Sequence, residues 1–274
     1  MQRRIGCMST PETPPGHALP ADSVTIRELP LARPLVWLAM GWRDLLRAPG
    51  ASLLHGLLVA VGGWVILVLT LRWWYLLPGA FSGFVLVGPI LATGLYELSR
   101  RLAAGEPATL AAVFAAWRRG TRPLVWLGLG LALAGTLWVM LSAVLVALFV
   151  RAPITDVEAF LRHIVLSQGS NLFPLWLMAG GLGASIVFAL TVISAPLLLD
   201  RDTDLGTALL VSVRAVGANP LTMALWATII MLATALSMAT AMLGFVLVIP
   251  LVGHATWHAY RDAVDAAALP ARAL

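Results

Sequence analysis

The chain has 274 residues, 60% of them hydrophobic and 11% charged, with a mean hydropathy of +0.90 and a formal net charge of +5. A soluble domain carries about 25% charged residues, so a water-soluble globule is excluded as the general plan. The pI of about 10.6 comes from arginines at the ends of apolar runs, where membrane topology explains them. No basic patch with interleaved aromatics is present, which argues against a nucleic-acid partner.

Residues 1–31 are polar and proline-rich (Pro11, Pro14, Pro15, Pro20, Pro30), without the apolar core of a secretory signal or a lipid-anchor motif. They are expected to form a disordered cytoplasmic tail, with Met8 a second candidate start. Cys7 is the only cysteine, so no intramolecular disulfide and no thiolate metal site can form. Residues 34–47 predict a surface helix with Leu38, Trp42 and Leu45 on its apolar face. The first span follows at about 51–71 and the second at about 77–98, entered through Trp73, Trp74 and Tyr75 as an interfacial belt. Over 109–120, Leu110, Val113, Phe114 and Trp117 share one face, with Thr109 and Gly120 as caps and Arg118 and Arg119 at the C-terminal end.

The third span is expected at about 123–150, and a segment at 151–171, with a short helix over 156–166, leads to the fourth at about 172–199. Asp200-Arg-Asp202-Thr-Asp204 reads as a turn that caps the next surface helix, residues 205–216, whose face carries Leu205, Leu209, Val213 and Val216. Residues 221–260 are too long for one span and divide near 242–244 into a hairpin. A six-helix domain thus covers 32–264, and 265–274 form a short cytoplasmic tail.

Arginine placement orients these spans. Arg27, Arg33, Arg43, Arg47, Arg100, Arg101, Arg118, Arg119, Arg122, Arg201, Arg214, Arg261 and Arg272 fall on the side of the N-terminus, and only Arg72, Arg151 and Arg162 on the other. That bias predicts both termini in the cytoplasm.

An internal repeat is also legible. Phe84-Val-Leu-Val-Gly-Pro89 returns as Phe245-Val-Leu-Val-Ile-Pro250, with Tyr96 aligned to Trp257 and Arg100 to Arg261. Arg43 precedes Pro49 as Arg214 precedes Pro220, and Trp117 to Pro123 with Pro196 make a weaker middle copy. Each unit reads as a surface helix, a span out and a proline-bearing span back, in parallel. Pro89, Pro196 and Pro250 should each free a carbonyl and bend the returning helix. Gly128, Gly130, Gly135 and Gly181-x3-Ser185 are candidates for close helix contact.

Candidate chemistry is sparse. His254 and His258, four apart, share a helical face, and His55 is the other histidine expected in the membrane. Together they are candidate metal or haem ligands. The alternative has His254 hydrogen-bonded to a neighbouring helix and His258 in the headgroup zone. Glu97 can be neutralised by Arg101 at i+4. Nucleophile-elbow, P-loop and zincin motifs are absent, so an enzyme is not the leading reading.

The blocks Trp42-Arg43-Asp44, Phe84 to Glu97, Pro196 to Asp202, Ser212-Val-Arg-Ala, Asn219-Pro220 and Gly253 to Arg261 resemble, in order, the bacterial integral membrane proteins grouped as domain of unknown function 2189. The resemblance, over about 32–264, implies a bacterial inner-membrane protein of about six spans and implies no activity.

The expected fold is therefore all-α: a polytopic membrane protein with six transmembrane helices as three hairpins, interfacial amphipathic helices and a parallel internal repeat. The leading function is non-enzymatic binding of membrane lipids or another membrane protein, or a homo-oligomer contact, through Trp42, Arg43, Trp117, Arg118, Arg119 and Arg122. The alternatives are a small-solute carrier or channel with a path lined by Thr93, Ser194 or Thr256, and a haem or metal redox protein using His254 and His258. No cofactor is expected under the leading reading.

Overall fold

The structure is a computed structural model that describes residues 23–72, 77–118, 120–150, 166 and 171–272, with the backbone alone over 69–90. Its helices are α1 (Arg33–Arg47), α2 (Pro49–Arg72), α3 (Leu77–Ala104), α4 (Leu110–Arg118), α5 (Arg122–Phe149), α6 (Leu172–Thr191), α7 (Ser194–Asp200), α8 (Leu205–Ala218), α9 (Pro220–Ala239) and α10 (Phe245–Ala263). Two short strands, β1 (Thr25–Ile26) and β2 (Val264–Asp265), pair antiparallel beside them. The Trp73–Tyr75 belt, Arg119, and the predicted short helix at 156–166 apart from Leu166 lie outside the described residues, as do residues 1–22.

Proline sets where the long helices begin. Pro49 opens α2, Pro123 is in the first turn of α5 and Pro220 opens α9. At these positions the missing N–H has no intrahelical partner to lose. Among the described residues, four stretches are long and apolar enough to cross a bilayer: Pro49–Val68, Arg122–Phe149, Leu172–Asp200 and Pro220–Ala239. The chain is a helical membrane protein. The apolar run over 221–260 divides at residues 240–244, where Ala241 (φ 50°) and Met242 (φ 69°) take left-handed backbone conformations that reverse the chain.

The stretch over 172–199 is not one helix. It breaks at Val192–Ile193 into α6 and α7. Pro196 has no N–H to give Val192, four residues back, and the ladder is opened further by Ser212 of α8. The Ser212 hydroxyl donates to Ala189 O (2.7 Å) and accepts from Ile193 N–H (3.2 Å), taking both halves of a helical hydrogen bond.

Three segments are buried on all sides: residues 93–99 of α3, 192–199 leading through α7, and 253–260 of α10. They touch one another and form the centre of the molecule. Around them α2 lies against α10 and α3, α5 against α3 and α6, and α9 against α10. The three shorter surface helices follow one rule. α4 packs on α3, α8 packs on α7 and α6, and α1 packs on α10, so the first helix is held by the last.

Backbones of different helices approach closely at Gly56 and Gly41, and Gly128, one of the expected positions, is buried in α5. A Cβ at Gly56 would sit 2.1 Å from Val246 O, the carbonyl that Pro250 leaves without its helical donor. At Gly41 it would meet Ala255 N and Leu251 O at 2.8 Å. By contrast Gly181 and Gly130 face open space, and the Ser185 hydroxyl returns to Gly181 O of its own helix.

Described residues on the outer side of the boundaries expected at 32 and 264 also pack on the helices. Val24, Ala266 and Leu269 are buried, Arg27 pairs with Asp265 (3.0 Å), and Asp202 N–H donates to Pro270 O (3.0 Å). Asn219 fastens residues 27–29 by accepting from Leu29 N–H (2.7 Å) and donating to Arg27 O (2.9 Å).

Candidate functional site

The densest polar arrangement lies where α1 crosses α10. Without a Cβ at Gly41 the two backbones come close enough for α1 to be pinned along its length. Arg33 Nε and Trp37 Nε1 both donate to Asp262 Oδ2, at 2.6 and 2.7 Å. Two turns on from Trp37, Asp44 Oδ2 accepts from His258 Nε2 (2.7 Å) and from the Ser99 hydroxyl (2.8 Å). Since Ser99 donates to Asp44, its oxygen accepts from His254 Nδ1–H (2.7 Å), which leaves His254 Nε2 to accept from the Ser52 hydroxyl (2.8 Å). A buried hydrogen-bonded chain therefore runs from Ser52 on α2 through His254 on α10 and Ser99 on α3 to Asp44 on α1. Burial pushes the Asp44 carboxyl up, but the hydrogen bonds from His258 and Ser99 and the neighbouring imidazoles outweigh it and hold the group below its usual range.

Beside this junction is a cleft of about 200 Å³ lined by Met40, Arg43, Asp44, Arg47, Ala103 and His258. Arg43 and Arg47 are one turn apart and exposed. Most other arginines at this end have a carboxylate within 4.0 Å: Arg27 with Asp265, Arg33 with Asp262, Arg100 and Arg101 with Glu97, Arg201 and Arg261 with Asp200. Arg43 and Arg47 have none among the described residues, and Asp44, the nearest acid in sequence, is turned inward to His258 and Ser99.

The surface helices differ from their expected faces in an informative way. In α1 the buried face is Pro34, Trp37, Gly41, Asp44 and Leu45, while Leu35, Trp42 and Leu46 point outward. The expected face of Leu38, Trp42 and Leu45 is thus split between two directions. In α4 Val113 is buried and Leu110 and Phe114 are exposed. In α8 the inward face is Thr207, Ala208, Val211, Ser212 and Ala215, and Leu210 and Val213 stay outside. In α8 mostly small residues face the protein, and in α1 Gly41 marks the tight crossing on α10. On all three helices large apolar residues face away from the protein, beside arginines in α1 and α4.

The comparison with known proteins agrees that the chain is an integral membrane protein. Residues 76–200 match the family model of predicted integral membrane proteins, domain of unknown function 2189 (DUF2189). The match runs from α3 to α7, narrower than the blocks of resemblance, which begin at Trp42 and end at Arg261. No curated protein and no solved structure matches the chain.

Within the segment matched to DUF2189, Glu97 is buried and receives Arg100 Nε at 2.7 Å and Arg101 Nε at 2.6 Å, so it is a closed ion-pair cluster. Trp117 packs edge-on to His55, with ring centroids 5.5 Å apart, and is only partly exposed, whereas Arg118 and Arg122 are exposed. Pro89 lies inside α3, Pro196 in the first turn of α7 and Pro250 inside α10. The three histidines gather at one end of α2 and α10 but do not converge on a common point. Both nitrogens of His254 are engaged by serines, His258 Nε2 is engaged by Asp44, and His55 donates Nδ1–H to Ala51 O while its Nε2 faces Gly94. Ser194 and Thr256 donate to carbonyls of their own stretch of chain, and Thr93 is buried. Asp204 caps α8 by accepting from Thr207 N–H (2.9 Å) and Thr207 Oγ1 (2.6 Å).

Sequence reasoning on histidine spacing found His254 and His258 but missed Ser52, Ser99 and Arg47, and named Asp44 only within a motif. A signal for Asp44 was present. Trp37, Gly41 and Asp44 recur at i, i+4 and i+7, which places an acid on the inward face of an amphipathic helix.

Proposed function

We propose that this chain is a non-enzymatic protein of the bacterial inner membrane that binds anionic lipid through interfacial helices at its cytoplasmic face. The observation that carries the reading is the outer surface of α1 and α4. On α1, exposed Leu35, Trp42 and Leu46 stand beside exposed Arg43 and Arg47, and at α4 exposed Phe114 is followed in sequence by exposed Arg118 and, at the start of α5, Arg122, so each element offers apolar area to acyl chains and positive charge to headgroups. The arginine bias of the sequence puts that surface on the cytoplasmic side, where anionic lipid supplies the complementary charge.

On this reading the membrane domain has six spans in three units, the four apolar stretches being joined by α3 and α10. The 19 residues of α10 measure about 28 Å at 1.5 Å per residue, close to the roughly 30 Å of a hydrocarbon core. The packing of each surface helix on the returning helix of the unit before it, closing from α1 onto α10, supports a three-unit repeat.

The test is lipid selectivity in nanodiscs of graded phosphatidylglycerol content, read by quenching of tryptophan fluorescence with brominated lipid. Wild type should prefer the anionic lipid, and the preference should weaken with added salt and in R43Q/R118Q/R122Q. Equal quenching by zwitterionic and anionic brominated lipid at low salt would overturn the reading.

A further inference from the structure

We infer that the cleft between α1 and the ends of α3 and α10 is a seat for the phosphate of one anionic phospholipid, gripped by Arg43 and Arg47. The inference deepens the lipid-binding reading and rests on it. The two guanidinium groups, one helical turn apart on the same side of α1, border the cleft with Met40, Ala103 and His258. Arginine's planar fork suits phosphate oxygens, which it can engage in pairs.

Three features of the site favour such an occupant. Both arginines lack a carboxylate partner among the described residues, in a protein that pairs Arg33, Arg100, Arg101 and Arg201. Asp44, at the cleft's inner wall, has the carboxylate oxygen nearest its partners committed to His258 and Ser99, so two unpaired positive groups face one internally engaged negative one. The volume of about 200 Å³ is below the range of roughly 300–1,000 Å³ typical of drug-sized ligands and fits a headgroup.

The position of the cleft selects a lipid over free phosphate. Trp42 and Leu46 belong to the same two turns of α1 as Arg43 and Arg47 and project outward, uncovered by the protein. A phospholipid with its phosphate in the cleft can lay its chains along that apolar strip, which inorganic phosphate cannot use. The α1 scaffold is fixed independently of the arginines, by the contacts of Arg33, Trp37 and Asp44. Changing Arg43 and Arg47 therefore removes the grip without removing the support.

The experiment is native mass spectrometry of full-length protein in mild detergent, titrated with phosphatidylglycerol, on wild type, R43Q/R47Q, R43K/R47K and R118Q/R122Q. Wild type should retain one phosphatidylglycerol. R43Q/R47Q should bind it about thirtyfold more weakly, the weight of two arginines near an anionic surface. R118Q/R122Q, which thins the broader surface charge and leaves the cleft intact, should weaken binding far less than R43Q/R47Q, and R43K/R47K, which keeps charge but loses the fork, should fall between wild type and R43Q/R47Q. Retention of the lipid by R43Q/R47Q at wild-type affinity, with unchanged thermal stability, overturns the inference. Displacement of the bound lipid by millimolar inorganic phosphate overturns its lipid source. A loss of tight binding equal in R118Q/R122Q and R43Q/R47Q also overturns it while leaving the broader surface reading standing, whereas absence of any anionic preference in nanodiscs removes that broader reading itself.

Discussion

At the scale of single residues, Asp44 is the side chain on which most of the polar junction converges. Its removal in D44A leaves the donors of His258 and Ser99 without their acceptor in a buried place, at about 1–3 kcal/mol for each unsatisfied group. The expected loss is therefore about 2–4 kcal/mol, read as a lowered unfolding midpoint in detergent, with D44N losing less because its amide oxygen still accepts. The Asp44 pKa is depressed in the folded state, so the stabilisation it supplies is present above about pH 4 and is lost as pH falls through the lowered folded value. The acid limb of wild-type stability should be steeper than that of D44N. How far this was legible is clear from its partners. The His254 and His258 spacing pointed to the right face of α10 because period 3.6 is visible in sequence. The serines were not legible. Ser52 and Ser99 are ordinary residues of apolar helices until four helices meet, and that meeting is a long-range fact that no local pattern carries.

At the scale of elements, the helices were readable and their contacts were not. Apolar length and N-terminal prolines announced α2, α5 and α9, since each depends on composition within one segment. The break between α6 and α7 was foreshadowed by Pro196, but its position also depends on Ser212 reaching across from α8. Of the expected glycines Gly128 is buried but Gly130 and Gly181 face open space, because a small residue shows that approach is allowed and not where it occurs. The structure separates the two cases sharply. G56A drives a methyl group into the Val246 carbonyl, and overpacking of this kind costs about 3 kcal/mol, whereas G181A points into open space and should change stability by less than about 0.5 kcal/mol. Thermal unfolding of the two variants in detergent measures the contrast. A wild-type midpoint for G56A would show that α2 and α10 do not meet there.

At the scale of the whole molecule, the order of the chain and the order of packing disagree. α1 leaves the N-terminal segment and packs on α10, the last long helix, while β1 pairs with β2 just beyond it. A protein truncated after Ala239 should therefore expose α1, and trypsin should cut at Arg43 and Arg47 much faster than in the complete chain. Equal cutting rates would mean that α1 is held by something other than α10. The same arrangement bears on biosynthesis. While the ribosome is still feeding the later segments to the insertion machinery, the earliest helix has no docking place, and its oily flank with its arginines must rest on the lipid surface beside the translocon until the final span is released.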